Sequence, residues 1–271
     1  MTEMLVRAPS FEFPAPTKPI GTLLDVATVL DDIGWLEPSG LAESYNCLRM
    51  DSRAVWPCPP GQPATKNFGS SGWQSGIRFA AYGGNKCKGP GFDMATATSK
   101  TRAAFDAMES FAVEKALMNL RFSTTGPGWS PATDITPAGG AVSPIGGLSM
   151  LEGDVACNYA GVPTIHVPRS VASMLTNQGA VEAQGSKLVT KIGSKVAAGG
   201  GYGCPSVGPG GLPAAAGEAW MYGSGEVVVS RGDVIEVAEL DRTTNDVYIL
   251  IERPYVVAVD CYVSAVRVKV G

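Results

Sequence analysis

The chain is 271 residues long with a formal net charge of −4; 45% of its residues are hydrophobic and only 17% are charged. A chain of this length forms one large domain or two interleaved ones and buries roughly 75% of the surface its unfolded form exposes; a charged fraction below the usual ~25% fits either a surface covered by partners, since obligate interfaces are depleted in charge, or a neutral, loop-rich monomer. With no Lys/Arg run longer than two, tight binding to nucleic acid or to an anionic membrane through phosphates is disfavoured, and with no run of 18 apolar residues no transmembrane helix is expected.

Residues 1–20 are proline-spaced and should run extended, as an arm, because each proline disfavours helix before it. The stretch contains Glu3 and Glu12 and no uninterrupted apolar core, so it is not expected to be a signal peptide. The six cysteines (Cys47, Cys58, Cys87, Cys157, Cys204 and Cys261) are therefore expected to be thiols in a reducing cytoplasm. Residues 21–33 read as a short helix with Leu23, Leu24, Ala27 and Leu30 on one side. Residues 45–92 carry the turn chemistry of a long β excursion: Pro57, Pro59, Pro60 and Pro63 precede a strand-like alternation at 77–82.

One long helix is predicted over residues 98–122, where Phe105, Met108, Ala112 and Leu120 recur near helical spacing and Arg102 and Asp106 form an i,i+4 pair. Gly126, Pro127 and Gly128 stop it, and residues 123–144 read as a loop. A second helix, 145–158, is weakened by Gly146, Gly147 and Gly153, each costing about 1 kcal/mol relative to alanine. Residues 164–167 read as a strand; Pro168 opens a third helix at 169–177, which Gly179 ends. Residues 187–189 and 195–197 flank a turn at Gly193, and 198–217, almost all Gly, Pro, Ala and Ser, are expected to be an exposed loop. From Ala219 the chain reads as β, with strands at 219–222, 227–229, 234–237, 247–252, 255–259 and 263–270 and a turn at Asn245-Asp246. Val266, Val268 and Val270 alternate with Arg267 and Lys269, giving the last strand one wet face.

No catalytic constellation emerges. The single histidine, His166, lies between Ile165 and Val167 and reads as a strand residue with a satisfied ring rather than a base. No local motif pairs it with Cys157 or Cys204, and the cysteines contain no CxxC, so no metal site is expected. Gly199-Gly200-Gly201-Tyr202-Gly203 lacks the Lys-Ser/Thr of a phosphate loop, and the prolines that follow deny it a helix. Arg231-Gly232-Asp233 falls between valine-rich strands and reads as a turn. The carboxylates are scattered, and Glu109 and Glu114, five apart, share a helix face poorly. Neither cofactor nor catalytic residue is assigned.

The order of elements is similar to the Hong Kong 97-type fold of tailed-phage major capsid proteins, which encapsulin shells share. TRAAFDAMESFAVEKALMNL resembles that family's spine helix, and GIRFAAYGGNKC falls in the region of its extended β loop. LSMLEGDVACNYAGVPTIHVPRSVASML resembles the helix, strand and short helix that enter the axial domain, and KLVTKIGSKVAAGGGYG the turn, strand and loop that follow. AWMYGSGEVVVSRGDVIEV and TNDVYILIERPYVVAVDCYVSAVRVKV resemble the closing strands of the peripheral domain. The resemblance spans most of residues 21–271.

It implies an α+β, Hong Kong 97-like capsid fold with an N-terminal arm (1–20), a peripheral domain (21–55 and 93–160, with the spine helix at 98–122), an extended loop (56–92), an axial domain (161–217) and closing peripheral strands (218–271). It also implies a major capsid protein that self-assembles into pentamers and hexamers around a genome, in a virion assembled in the host cytoplasm. Scaffolding, portal and decoration proteins are possible partners, and DNA is enclosed without specific recognition. An encapsulin-like shell, or a minor capsid, decoration or tail protein, is the alternative. Two departures stand out. No long acidic scaffolding segment precedes the arm, so scaffolding is expected to be separate or a prior cleavage product. Lys66, Lys86 and Lys88 are the candidates by region for the loop-lysine crosslink of some relatives, and no crosslink is expected.

Overall fold

The computed structural model describes residues 14, 16–31, 41–44, 72–88, 93–119, 129, 132–159, 161–203, 206–211 and 213–271. In chain order the elements are α1 (Leu23–Val26), β1 (Thr28–Leu30), β2 (Leu41–Ser44), β3 (Gly72–Ser75), β4 (Ile77–Lys88), α2 (Met94–Asn119), β5 (Thr133–Asp134), α3 (Pro144–Asn158), β6 (Thr164–Pro168) and α4 (Arg169–Asn177). There follow β7 (Val181–Gln184), β8 (Lys187–Thr190), β9 (Lys195–Gly199), β10 (Glu218–Ser224), β11 (Val227–Arg231), β12 (Ile235–Asp241), β13 (Asp246–Val259) and β14 (Val263–Lys269).

A five-stranded sheet is built on β13. One edge of β13 bonds β4 antiparallel from Asp246 to Val257; the other bonds β12 and then β11. The two runs read from sequence as separate strands, 247–252 and 255–259, are thus one strand of 14 residues. Pro254, which lacks a ladder donor, sits where the edge passes from β12 to β11, and its carbonyl accepts the Gly232 N–H at 3.0 Å. β1 extends the sheet, parallel to β11. This corrects the first predicted helix: among its described residues only Leu23–Val26 is helical, capped by Thr22 and Asp25, and Thr28-Val29-Leu30 is strand. β-Branched side chains and the pairing with β11 override the helical spacing.

The second sheet has seven strands in the order β5-β14-β10-β6-β9-β8-β7. It divides two cores, as alternation along β10 displays. Trp220 and Tyr222 point into a core shared with α2 and the first sheet, while Ala219 and Met221 point into a core shared with α3 and α4. The predicted strand 164–167 and helix 169–177 match β6 and α4, whereas β7 had no strong alternation to reveal it.

Helix α2 starts four residues earlier than predicted, and the 120–122 end of the prediction lies outside the described residues. Its buried stripe runs through Ala97, Thr101, Phe105, Glu109, Val113 and Leu117. Met108, expected on that face, is 55% exposed, because the stripe advances by i+4 and leaves it one step off. The predicted exposed loop 198–217 is also corrected at its start: Ala198, Gly199, Gly201 and Tyr202 are buried. Cys261, expected as a thiol, is disulfide-bonded, whereas Cys157 is a free, exposed thiol. Chain spacing and compartment do not show which sulfurs the fold brings together.

Helix α3 lies tight on β10 and β14. Ser143 caps it, accepting the Gly146 N–H at 3.2 Å, and Pro144 occupies its first position. Its glycines are not equivalent. A Cβ on Gly147 would stand 2.5 Å from Val268 Cγ1, whereas one on Gly153 meets nothing within 4 Å. Gly153→Ala is therefore expected to raise stability by about 1 kcal/mol through helix propensity. Gly147→Ala should lower it by about 1–3 kcal/mol through overpacking. Urea titration of both variants checks the opposite signs.

Candidate assembly surface and buried polar sites

His166 lies on β6 and faces the core shared with α2, with no exposed surface. The Ser224 hydroxyl donates to the Gly225 carbonyl (2.8 Å), so it accepts from His166 Nε2–H (2.9 Å). His166 Nδ1 then accepts from the Tyr202 hydroxyl (3.0 Å). Trp129 stands edge-on to the imidazole with ring centroids 4.4 Å apart. Burial pushes the His166 pKa down to about 3, so the ring is neutral at physiological pH. All three members of this hydroxyl–imidazole–hydroxyl chain are buried. The chain satisfies polar groups within the core. Cys157, exposed at the end of α3, does not approach it; Cys204 lies outside the described residues.

The two carboxylates that share a helix face poorly are both buried, each anchoring α2 to a different part of the fold. Glu109 Oε1 accepts from Arg253 Nη1 (2.9 Å) and from the Tyr255 hydroxyl, with Arg231 Nη1 at 3.7 Å. Asp31, after β1, accepts from the Arg231 guanidinium, and this lowers the Asp31 pKa. Arg231, from the Arg231-Gly232-Asp233 tripeptide, is thus committed to an internal network. Glu114, fully buried, accepts the N–H of Leu23 through Oε1 and the N–H of Gly201 through Oε2, each at 3.1 Å. Sequence spacing missed both; a carboxylate on the apolar stripe of a helix was the available signal.

The glycines of the 199–203 motif serve close approach. A Cβ on Gly199 would stand 1.7 Å from Glu114 Oε2, and one on Gly201 2.5 Å from Glu114 Cβ. Further along, Gly208 lies against the Trp220 ring, where a Cβ would meet Cε2 at 2.1 Å. Among the described residues no group of three or more His, Cys, Asp or Glu side chains could hold a metal ion, and no helix is long and apolar enough to cross a membrane.

The outer face of β4, β13 and β12 is the most apolar open surface that these strands present. Tyr82 is 75% exposed, and Tyr248 and Val237 are exposed as well. An open groove of about 570 Å³ runs between Tyr82, Lys86, Tyr248, Leu250, Val237 and Glu239. Strand β12 is exposed on both faces from Glu236 to Leu240. A contiguous apolar face rimmed by charge is the pattern of an interaction surface. Lys86, a crosslink candidate, is bonded to Tyr248 and to Asp246 (3.0 Å), which raises its pKa and holds it as an ammonium ion. Lys66 and the side chain of Lys88 lie outside what the structure describes.

No protein-family model matches the sequence, and no curated protein matches it. The backbone nevertheless follows solved shell structures along their whole length. With the capsid of Ralstonia phage GP4 the chain shares 7% identity, 98% coverage of itself and 96% of the other, and a TM-score of 0.55. With the capsid of the empty GTA particle the values are 11%, 97%, 95% and 0.54. With the holo-SrpI encapsulin complex from Synechococcus elongatus PCC 7942 they are 11%, 97%, 93% and 0.55. The fold is the Hong Kong 97-like capsid fold, as the order of elements implied.

The buried imidazole supplies a test. An unfolded histidine binds a proton below about pH 6.5, the folded His166 only near 3, so its contribution to stability is present above 6.5 and is lost as pH falls toward 3. The stability difference between wild type and His166→Phe should shrink by up to about 1.4 kcal/mol per pH unit in that window. Denaturant titrations at stepped pH measure it.

Proposed function

We propose that this chain is a major capsid protein, whose copies assemble as pentamers and hexamers into an icosahedral shell around a phage genome. One observation carries the reading: the backbone likeness to two capsids takes in 97–98% of this chain and 95–96% of theirs, so it is a likeness to a whole shell subunit and not to a shared module. The scarcity of charge and the exposed apolar face on β4, β12 and β13 support it. A net charge of −4 suits a wall that encloses DNA without gripping it. The protein would act as a structural component of the virion, assembled in the host cytoplasm with scaffolding, portal and decoration proteins as partners.

Within this reading residues 1–20 and the extended loop reach over neighbours, α2 stiffens the subunit, and 161–217 form the axial domain, with 21–55, 93–160 and 218–271 as the peripheral domain. The ladder pairs from Ile77–Val257 to Lys88–Asp246 hold the 77–88 part of the 56–92 segment on β13. The likeness to the encapsulin complex gives a second reading, a shell around protein cargo. Nuclease-protected DNA inside purified particles favours the first and a packaged enzyme the second.

Sedimentation velocity of the purified chain, alone and coexpressed with a scaffolding protein, is expected to show capsomers or shells. A monomer under every condition contradicts the proposal. Tyr82→Glu with Tyr248→Glu should reduce the assembled fraction at least tenfold. Because position 82 lies opposite Glu252 and position 248 opposite Glu239, the variant is also expected to lose about 1–2 kcal/mol of subunit stability, read by urea titration, and assembly is compared where it remains folded.

A further inference from the structure

We infer that Glu114 is a proton-operated clasp that ties the root of the N-terminal arm and the Gly-rich loop to helix α2. The inference stands on the geometry of one buried carboxylate and does not depend on the shell reading. Three chain segments meet at it. From α2 come Glu114 itself and Ser110, whose hydroxyl lies 3.0 Å from that of Thr22. From the N-terminal side comes the Leu23 N–H, and from the loop the Gly201 N–H. The same N-terminal segment is held from the other side by the second sheet. Gly21 N–H donates to the Ser186 carbonyl (2.8 Å), Ala198 N–H to the Gly21 carbonyl (2.6 Å), and Arg169 to the Ile20 carbonyl (2.8 Å). Releasing Glu114 frees the helix side of this joint and leaves the sheet side in place.

The chemistry sets the direction. Two backbone N–H donors favour the carboxylate, but complete burial disfavours its charge more, and the balance pushes the Glu114 pKa up to about 7. The surrounding charges are few. On α1, Asp25 opposes ionisation, though it is itself bonded by Lys18 and Thr22; on α4, Arg169 favours it. In the loop, the buried Tyr202 keeps its proton, its pKa raised by desolvation and by Glu114, and on α2 the neighbouring Lys115 is exposed. An opened clasp returns Glu114 to water, where its pKa is 4.5. Proton uptake therefore favours the closed form: the clasp is tight below about pH 5 and loosens as pH rises through 7. This slope opposes that of His166 wherever the two windows overlap.

The test is amide hydrogen exchange on the full chain from pH 4.5 to 8, corrected for intrinsic base catalysis, read at Leu23 and Gly201 with Ile251 in β13 as control. A pKa of about 7 closed against 4.5 open corresponds to an opening equilibrium that rises about 140-fold across this range. The control amide should not share the rise. Glu114→Gln, which cannot ionise, should give a flat profile at both positions. A flat wild-type profile, a rise shared by Ile251, or the same rise in Glu114→Gln overturns the inference. If the variant does not fold, the wild-type profile against its internal control still decides.

Discussion

Strand β13 is the constraint on which the rest of the fold depends, because it is bonded along both edges, on one by β4 from a distant part of the chain and on the other by β12 and β11, which precede it. Its 14 residues take β4 on one side and β12 then β11 on the other, and its buried face, Val247, Ile249 and Ile251, belongs to the core that α2 also enters. A strand's side chains alternate between faces, so a one-residue slip of β13 would turn this apolar set outward and carry three partner strands with it. The register is pinned at the handover: Pro254 leaves the ladder without a donor, and the neighbouring Arg253 reaches across to Glu109 on α2. Sheet and helix are thus fixed to each other by one guanidinium and one tyrosine hydroxyl on the same carboxylate oxygen.

The second constraint is where the two sheets meet. Tyr222 and Trp220 on β10 face the α2-side core, and Tyr202, rising from the Gly-rich loop, closes over His166. The loop reaches this position only because glycine stands at 199 and 201, against Glu114. A stretch that looks like low-complexity connection is therefore part of the core, and its glycines measure distance to a helix, not freedom of movement. Burial shifts the two buried polar groups of this region in opposite directions, Glu114 up and His166 down.

Much of this was legible in the sequence, and the failures share a cause. Helices α3 and α4 and the closing strands announce themselves by caps, prolines and alternation, which are local signals. What local signals could not give was anything decided by a remote neighbour. Thr28-Val29-Leu30 carries a helical apolar spacing but is claimed by β11; Pro254 reads as a strand break but falls where a break does no harm. Glu109 and Glu114 look like ordinary charges of an exposed helix until Arg253, Leu23 and Gly201 arrive beside them. The bonding of Cys261 belongs to the same class. Of the candidate site, the apolar outer face of β4, β13 and β12 could not be read from composition. Tyr82 is far in sequence from Val237 and Tyr248, and only the ladders of β4 and β12 with β13 place the three side by side.

The proposed function has the open apolar face on β4, β12 and β13 covered by a neighbouring copy. Electron microscopy of particles formed by the purified or coexpressed chain tests this most directly. The account predicts closed shells or rings of five and six copies, in which the face bearing Tyr82, Val237 and Tyr248 lies against a neighbouring subunit. Monodisperse single subunits at high concentration, with scaffold present and that face in solvent, would contradict it.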